Sequence, residues 1–151
     1  MTEPKIGRWA AAALMVTEDG RYLMQLRDDR PELDFRAHWA CFGGTVDPGE
    51  DGAAAIRREL QEELEFRAAD VALFTELTIL LPFAHPRTPR HDRLCFYTVL
   101  IEAAAVRRMV QHEGADRRLF RPEALAAEAR VAPWDLCAVL MHARRRGLFR
   151  G

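Results

Sequence analysis

The sequence is poor in several residue types and patterns, and each shortage narrows what the protein can be. Of its 22 basic residues only Lys5 is a lysine, so arginine clusters reflect an overall bias as much as a binding site. The three cysteines are far apart in sequence, at Cys41, Cys95 and Cys137. They give no basis for a disulfide framework or a zinc ribbon and indicate free thiols in a reducing compartment. The formal net charge of -1 gives no general attraction to nucleic acid.

Long hydrophobic runs are also missing. The apolar stretch at residues 9–16 is far shorter than the ~20 residues of a membrane span, and no small-residue cleavage site follows it. It therefore predicts a buried strand rather than a signal peptide, and a cytoplasmic location is expected. The sequence contains no His-Glu-x-x-His, Gly-x-Ser-x-Gly, Walker or Gly-x-Gly-x-x-Gly pattern.

What is present is a series of short strands around one helix, followed by two closing helices. Strands are predicted at residues 9–16, 22–26, 39–42, 71–81, 94–101 and 119–120, with a proline-containing loop at 82–93. Helices are predicted at about 51–65, 122–129 and 133–146. This order predicts an α+β fold, a single domain over residues 1–151 with a mixed sheet between helices.

The first helix carries an unusual acidic pattern. Glu59, Glu62 and Glu63 are spaced i, i+3 and i+4, so they share one face of the helix, beside the apolar stripe of that helix. Six acids and two arginines between residues 50 and 65 leave a local charge of -4 that hard divalent cations would relieve. A solvated face with an Arg58–Glu62 ion pair would give the same pattern. The adjacent Gly43-Gly44 favours a ligand site, because it brings backbone close to the acids.

Taken together, these residues resemble the Nudix box. The match consists of Gly44, five residues, Glu50, seven residues, and then Arg58-Glu59-Leu60-x-Glu62-Glu63-x-x-Phe66, with Glu65 where the family has glycine. The resemblance implies an α/β/α sandwich and hydrolysis of a nucleoside diphosphate linked to another group. Glu65 in place of glycine predicts that the helix runs on or ends with some strain.

The resemblance also implies a role for individual residues. Glu59, Glu62 and Glu63 would bind Mg²⁺ or Mn²⁺ with the carbonyl group of Gly43, while Glu50 and Arg58 would orient them by ion pairing. A Glu-Gly element before the last strand, here Glu113-Gly114, would supply another metal ligand or the general base. We expect Glu59 or Glu113 to accept the proton of the attacking water.

Substrate contacts must come from outside this motif. The candidates are Arg27, Trp39, Phe83 and Arg90, which could hold a phosphate or sugar or stack on a base. The expected partner is a nucleotide-like small molecule, with no membrane and no specific nucleic acid, and relatives are commonly homodimers. Two alternatives stay open: a related domain that senses a nucleotide without cutting it, and an isomerase, which would use Cys41 or Cys95.

Overall fold

The computed structural model describes residues 5–81 and 90–149. Its elements begin with the strands β1 (Ile6–Thr17), β2 (Tyr22–Leu26), β3 (Trp39–Ala40) and β4 (Phe42–Thr45) and the helix α1 (Gly52–Leu64). The strands β5 (Val71–Leu81) and β6 (Arg90–Ile101), a 3-10 helix (Ala103–Arg108) and β7 (Asp116–Phe120) follow. The helices α2 (Pro122–Ala127) and α3 (Pro133–Arg145) come last.

The strands form one mixed sheet with β1 near its centre. β1 pairs in parallel with β6 over almost its whole length, and it pairs antiparallel with β2 and β4. β5 extends the sheet beyond β6, while β3 and β7 both pair with β2. The first two strands form a hairpin, with Val16 opposite Tyr22.

Helices cover both faces of this sheet. One core cluster joins the apolar side of α1 to alternate residues of β1 and β6, including Ile56, Leu60 and Met15. The other cluster joins α3 to the opposite face, including Leu14, Phe96 and Val139. Successive side chains of β1 and β6 point to opposite faces of the sheet, so each of these strands contributes residues to both cores. The predicted α+β fold with a mixed sheet between helices is confirmed.

Both ends of α1 follow local rules. Asp51 caps the start of the helix, since its carboxylate accepts a hydrogen bond of 2.8 Å from the backbone N–H of Ala54. At the other end Glu65 takes the left-handed conformation, with φ 50° and ψ 37°. The N–H groups of Glu65 and Phe66 then bond to the carbonyls of Gln61 and Leu60, which closes the last turn. The helix thus ends at the position where the family motif has glycine. A glutamate in the left-handed conformation is sterically strained, so the end of the helix carries some strain.

Several predicted boundaries need correction. β6 begins at Arg90 rather than at residue 94, so residues 90–93 of the predicted loop belong to a strand. Residues 82–89 lie outside the described part of the chain. The strand expected at residues 39–42 divides at Cys41, whose N–H bonds to the carboxylate of Asp135 on α3 instead of a neighbouring strand. β7 starts at Asp116 because its polar residues pair with β2 at an outer position of the sheet. The 3-10 helix is not predicted from the sequence.

Within the two described ranges, no helix is long and apolar enough to cross a membrane.

Candidate active site

An open cavity lies beside the junction of β4 and α1, and charged groups of both signs line it. Five carboxylates line it: Glu59 and Glu63 of α1 and Glu113 of the turn before β7, here called the acidic cluster, and also Glu32 and Asp34 of the segment between β2 and β3. The guanidinium groups are those of Arg8, Arg27 and Arg90, here called the basic cluster. The structure therefore brings Glu59, Glu63, Glu113, Arg27 and Arg90 to one place, as the sequence-based hypothesis requires.

Two glycines of β4 make the close approach of backbone and carboxylate possible. Gly43 has φ 147°, and a β-carbon there would overlap the backbone carbonyl of Ala11 on β1. A β-carbon at Gly44 would overlap the carboxylate of Glu59 itself. The absence of both side chains lets the Glu59 carboxylate lie directly against the strand.

Arg58 organises the acids around it. Its guanidinium donates to Glu50 at 2.6 and 3.2 Å, to Glu59 at 2.9 Å and to the carbonyl of Thr45 at 3.0 Å. These bonds hold the pKa of the Glu50 carboxyl below its usual range, with a second contribution from the N–H of Asp47. Arg58 therefore contacts both Glu50 and Glu59, which is the arrangement that the role implied by the resemblance requires.

Glu63 is the most unusual of the acids. Its side chain is only 3% exposed, and its Oε2 atom accepts a hydrogen bond of 3.3 Å from the N–H of Gly43. Burial, together with the neighbouring charges of Glu113 and Glu59, raises the pKa of Glu63. The protonated form of Glu63 is therefore favoured where no positive charge lies beside it.

Glu62 is placed differently from Glu59 and Glu63. Its side chain is 59% exposed and contacts Arg58 at 3.4 Å, and it is not among the residues that line the cavity. The Arg58–Glu62 ion pair is the one expected if the acidic face of the helix were simply solvated. That interpretation therefore holds for Glu62 but not for Glu59 and Glu63. The backbone of Gly43 presents its N–H to Glu63, while the sequence-based hypothesis assigns a role to its carbonyl.

The residues of the acidic cluster fit a hard divalent cation, although the arrangement is not a preformed cage. Within residues 5–81 and 90–149, no three His, Cys, Asp or Glu side chains stand close enough together to hold a metal ion. Mg²⁺ needs no such cage, since it takes one or two carboxylates and completes its shell with water and phosphate. Burial and the charges of Glu113 and Glu59 raise the pKa of Glu63, and a cation beside these carboxylates would favour the charged form of Glu63.

A second cavity adjoins the first and shares Arg8, Arg27 and the two glycines with it. Phe35, Trp134 and Asp135 also line it, and burial raises the pKa of Asp135 to about 6. Among the side chains that the structure describes, Arg27 has the one buried nitrogen, Nε, that lacks a hydrogen-bond partner. An acceptor atom of a ligand in these cavities would satisfy it.

Of the described substrate-contact candidates, Trp39 does not line these cavities. Trp39 is 6% exposed and packs edge-on against Phe120 in the second core. Its ring is therefore not placed to stack on a base. Phe83 lies outside the described residues. Trp134 and Asp135 are not among the residues that the sequence predicts for the site. Pro133 indicates the start of a helix, but nothing in the sequence places that helix start beside Gly43.

Comparison with known proteins identifies the family. The NUDIX domain model matches residues 7–139. The chain belongs to the NUDIX domain family. Nucleoside triphosphatase NudI of Escherichia coli is 42% identical to it over 65 residues, which cover 42% of each protein. The match thus spans under half the length of that curated relative.

Two solved structures of NUDIX proteins have the same fold. The E. coli dihydroneopterin triphosphate pyrophosphohydrolase superposes with a TM-score of 0.70 at 17% identity, over 93% of this chain and 99% of that one. The NUDIX domain of Shewanella oneidensis NrtR, solved in complex with ADP ribose, gives a TM-score of 0.71 at 17% identity. That comparison covers 94% of this chain and 89% of the other.

Proposed function

We propose that this NUDIX protein hydrolyses a diphosphate linkage in a nucleoside triphosphate, or in a nucleoside diphosphate joined to another group, with Mg²⁺ or Mn²⁺ as cofactor. The observation that carries the proposal is the cavity where the acidic and basic clusters meet. Carboxylates alone would repel a polyphosphate, and arginines alone would bind it without activating water. The names of the NudI relative and of the pyrophosphohydrolase both concern triphosphates, which favours that class.

The acidic cluster and the exposed Glu62 would hold the cation, whose charge would offset that of the diphosphate and lower the pKa of a bound water. The water oxygen attacks phosphorus as the bridging P–O bond breaks, and the leaving group departs as a phosphate anion. Glu59 or Glu113 takes the proton of the water. Glu50 and Arg58 keep Glu59 in place, and the basic cluster offsets the charge of the phosphates that do not react.

The direct test is a product screen with a nucleotide panel that includes nucleoside triphosphates and ADP-ribose, with Mg²⁺, with Mn²⁺ and in EDTA. We expect products only when a cation is present: phosphate or pyrophosphate from a nucleoside triphosphate, and two phosphate monoesters from ADP-ribose. Glu63→Gln should abolish most of this turnover, whereas Glu65→Gln, the same change two residues further on and outside the cavity, should not. Equal rates in EDTA and Mg²⁺ would refute the metal-dependent mechanism.

Single variants identify the general base. Glu59→Gln and Glu113→Gln should differ, and the base variant should lose about 10²-fold or more in turnover together with the acidic limb of the pH–rate profile. The other variant should change the cation concentration needed for half-maximal rate. If both variants keep the wild-type pH profile, neither residue is the base.

The competing functions give different outcomes in the same assays. A sensor would bind a nucleotide tightly and release no product with any cation. An isomerase that uses Cys41 would lose activity in Cys41→Ala, although burial holds the pKa of the Cys41 thiol well above its usual value and keeps it protonated. A hydrolase of the proposed kind should tolerate Cys41→Ala.

A further inference from the structure

Arg90 is held more firmly than a surface arginine needs to be. Its Nε and Nη2 atoms donate to the two carboxylate oxygens of Asp92, at 2.6 and 3.0 Å. Such a side-on fork fixes the plane of a guanidinium as well as its position. Asp92 lies two residues along β6, so both side chains stand on the same face of the sheet.

The carboxylate that makes this fork is buried. Asp92 is 2% exposed and lines the second cavity, whereas the side chain of Arg90 is 26% exposed and lines the cavity of the acidic cluster. Burying a carboxylate is costly, and Arg90 offsets that cost only while it stays in place. A buried anion therefore orients an arginine whose exposed part faces the proposed reaction site.

The neighbouring strand contributes to the same placement. A β-carbon at Gly7 of β1 would overlap the methylene groups of the Arg90 side chain. Gly7 lies at a register shift between β1 and β6, where Ile6 pairs with His91 and Arg8 with Asp92. The missing side chain of Gly7 leaves the space through which Arg90 runs.

We propose that Asp92 and Gly7 are positioning residues that hold Arg90 ready to bind a phosphate group of the substrate. This inference rests on the proposed function, because it assumes that the ligand of the acidic cluster carries phosphates. An arginine fixed in advance loses little side-chain entropy when an anion binds, so its fixation increases affinity rather than the rate of the chemical step. Asp92 does not touch the substrate.

The test is direct binding of inorganic tripolyphosphate, measured by calorimetry in EDTA so that neither turnover nor a cation contributes. We expect Arg90→Gln and Asp92→Asn each to weaken binding by about tenfold or more, the effect of one lost charge-assisted hydrogen bond. The double variant should be no weaker than either single one, since both changes remove the same contact. Gly7→Ala, which changes no charge, should weaken binding in the same direction.

The matched control is Glu76→Gln. Glu76 on β5 makes an equivalent fork with Arg93, at 2.5 and 3.0 Å, and neither residue lines the two cavities. Its loss should leave tripolyphosphate affinity unchanged. In turnover assays, Asp92→Asn should raise KM by a similar factor with little change in kcat.

The outcomes separate this inference from the proposed function. If the folded Asp92→Asn and Gly7→Ala variants bind tripolyphosphate as tightly as the wild type, while Arg90→Gln does not, Asp92 and Gly7 have only structural roles and the inference is overturned. Additive losses in the double variant would also overturn it. If the wild-type protein binds no tripolyphosphate in EDTA but still cuts nucleotides, Arg90 is not a preformed phosphate site and the inference alone is overturned. If it neither binds tripolyphosphate nor cuts nucleotides, the proposed function is refuted.

Discussion

At the scale of single residues, the site depends on where a few charges are held rather than on how many there are. Arg58 shows this best, because its guanidinium bonds to Glu50, Glu59 and a backbone carbonyl at once. The adjacent Arg57 is exposed, and its guanidinium has one long hydrogen bond, of 3.4 Å, to the carbonyl of Ala69. Two neighbouring arginines of one helix thus have different roles.

This difference gives a residue-scale prediction. We expect Arg58→Gln to lower kcat/KM by about 10–100-fold, the usual cost of losing a group that orients metal ligands. Arg57→Gln should leave kcat/KM close to the wild-type value. The measurement is steady-state hydrolysis of the best substrate at saturating Mg²⁺. Equal losses in the two variants would show that Arg58 acts only through the overall charge of the helix.

At the scale of elements, the contact between β4 and α1 brings backbone and carboxylate together. Gly43 and Gly44 are adjacent in sequence but meet different obstacles. A side chain at Gly43 would strike the backbone of β1, while one at Gly44 would strike only the movable carboxylate of Glu59. A side chain at Gly43 would require the backbone of β1 to move, whereas one at Gly44 would require only the Glu59 side chain to rotate.

We therefore expect Gly44→Ala to reduce turnover with little loss of stability, because the Glu59 side chain can rotate away. Gly43→Ala should destabilise the fold by about 2 kcal/mol or more, since rigid backbone cannot move aside and φ 147° is unfavourable for alanine. Thermal unfolding and turnover of both variants check this. A Gly44→Ala enzyme with full activity would show that Glu59 does not need its position.

The end of α1 gives a second prediction for this element. Glu65→Gly should stabilise the protein by about 1 kcal/mol, because glycine takes the left-handed conformation without the steric cost paid by other residues. Part of the gain is offset by the loss of the exposed contact between Glu65 and His112, at 2.9 Å.

The control for that prediction is Glu65→Ala, which loses the same contact and keeps the strain. Its midpoint of thermal unfolding should lie below that of Glu65→Gly by about 2–4 °C, the shift expected from 1 kcal/mol in a domain of this size. If the alanine variant is as stable as the glycine variant, the left-handed conformation costs nothing here.

At the scale of the whole molecule, stability is linked to pH through Asp135. Burial raises the pKa of Asp135 to about 6 from an ordinary value of 3.8, so the folded protein holds this proton more tightly than the unfolded chain. The contribution of Asp135 to stability is therefore complete below about pH 4 and is lost as the pH rises through 6.

Asp135→Asn should remove this dependence, because the amide does not titrate and its oxygen can still accept the N–H of Cys41. Relative to the wild type, we expect the variant to gain about 1 kcal/mol in free energy of unfolding between about pH 5 and pH 7.5. Urea unfolding at both pH values measures it. Asp70→Asn, at an exposed position, is the control, and an equal gain there would contradict the assignment.

Much of this architecture could be predicted from local patterns. The bounds of α1 agree with the helix predicted at about 51–65 to within one residue at each end, because apolar spacing is a local signal. β1 and β2 followed from apolar runs around a turn. β7 was predicted only in part, because Asp116, Arg117 and Arg118 look like a loop until β2 provides a partner. A single domain over residues 1–151 and a homodimer stay predictions.

The sequence by itself determined which helix carries the acids, where that helix begins and ends, and the family, because capping and periodicity are local properties. Only the tertiary structure decided that Glu63 is buried while Glu62 is exposed, that Trp39 belongs to the core, and that Asp92 orients Arg90. The physical reason is distance along the chain. Burial and charge pairing arise from elements that meet only after folding, and no single segment encodes its neighbours.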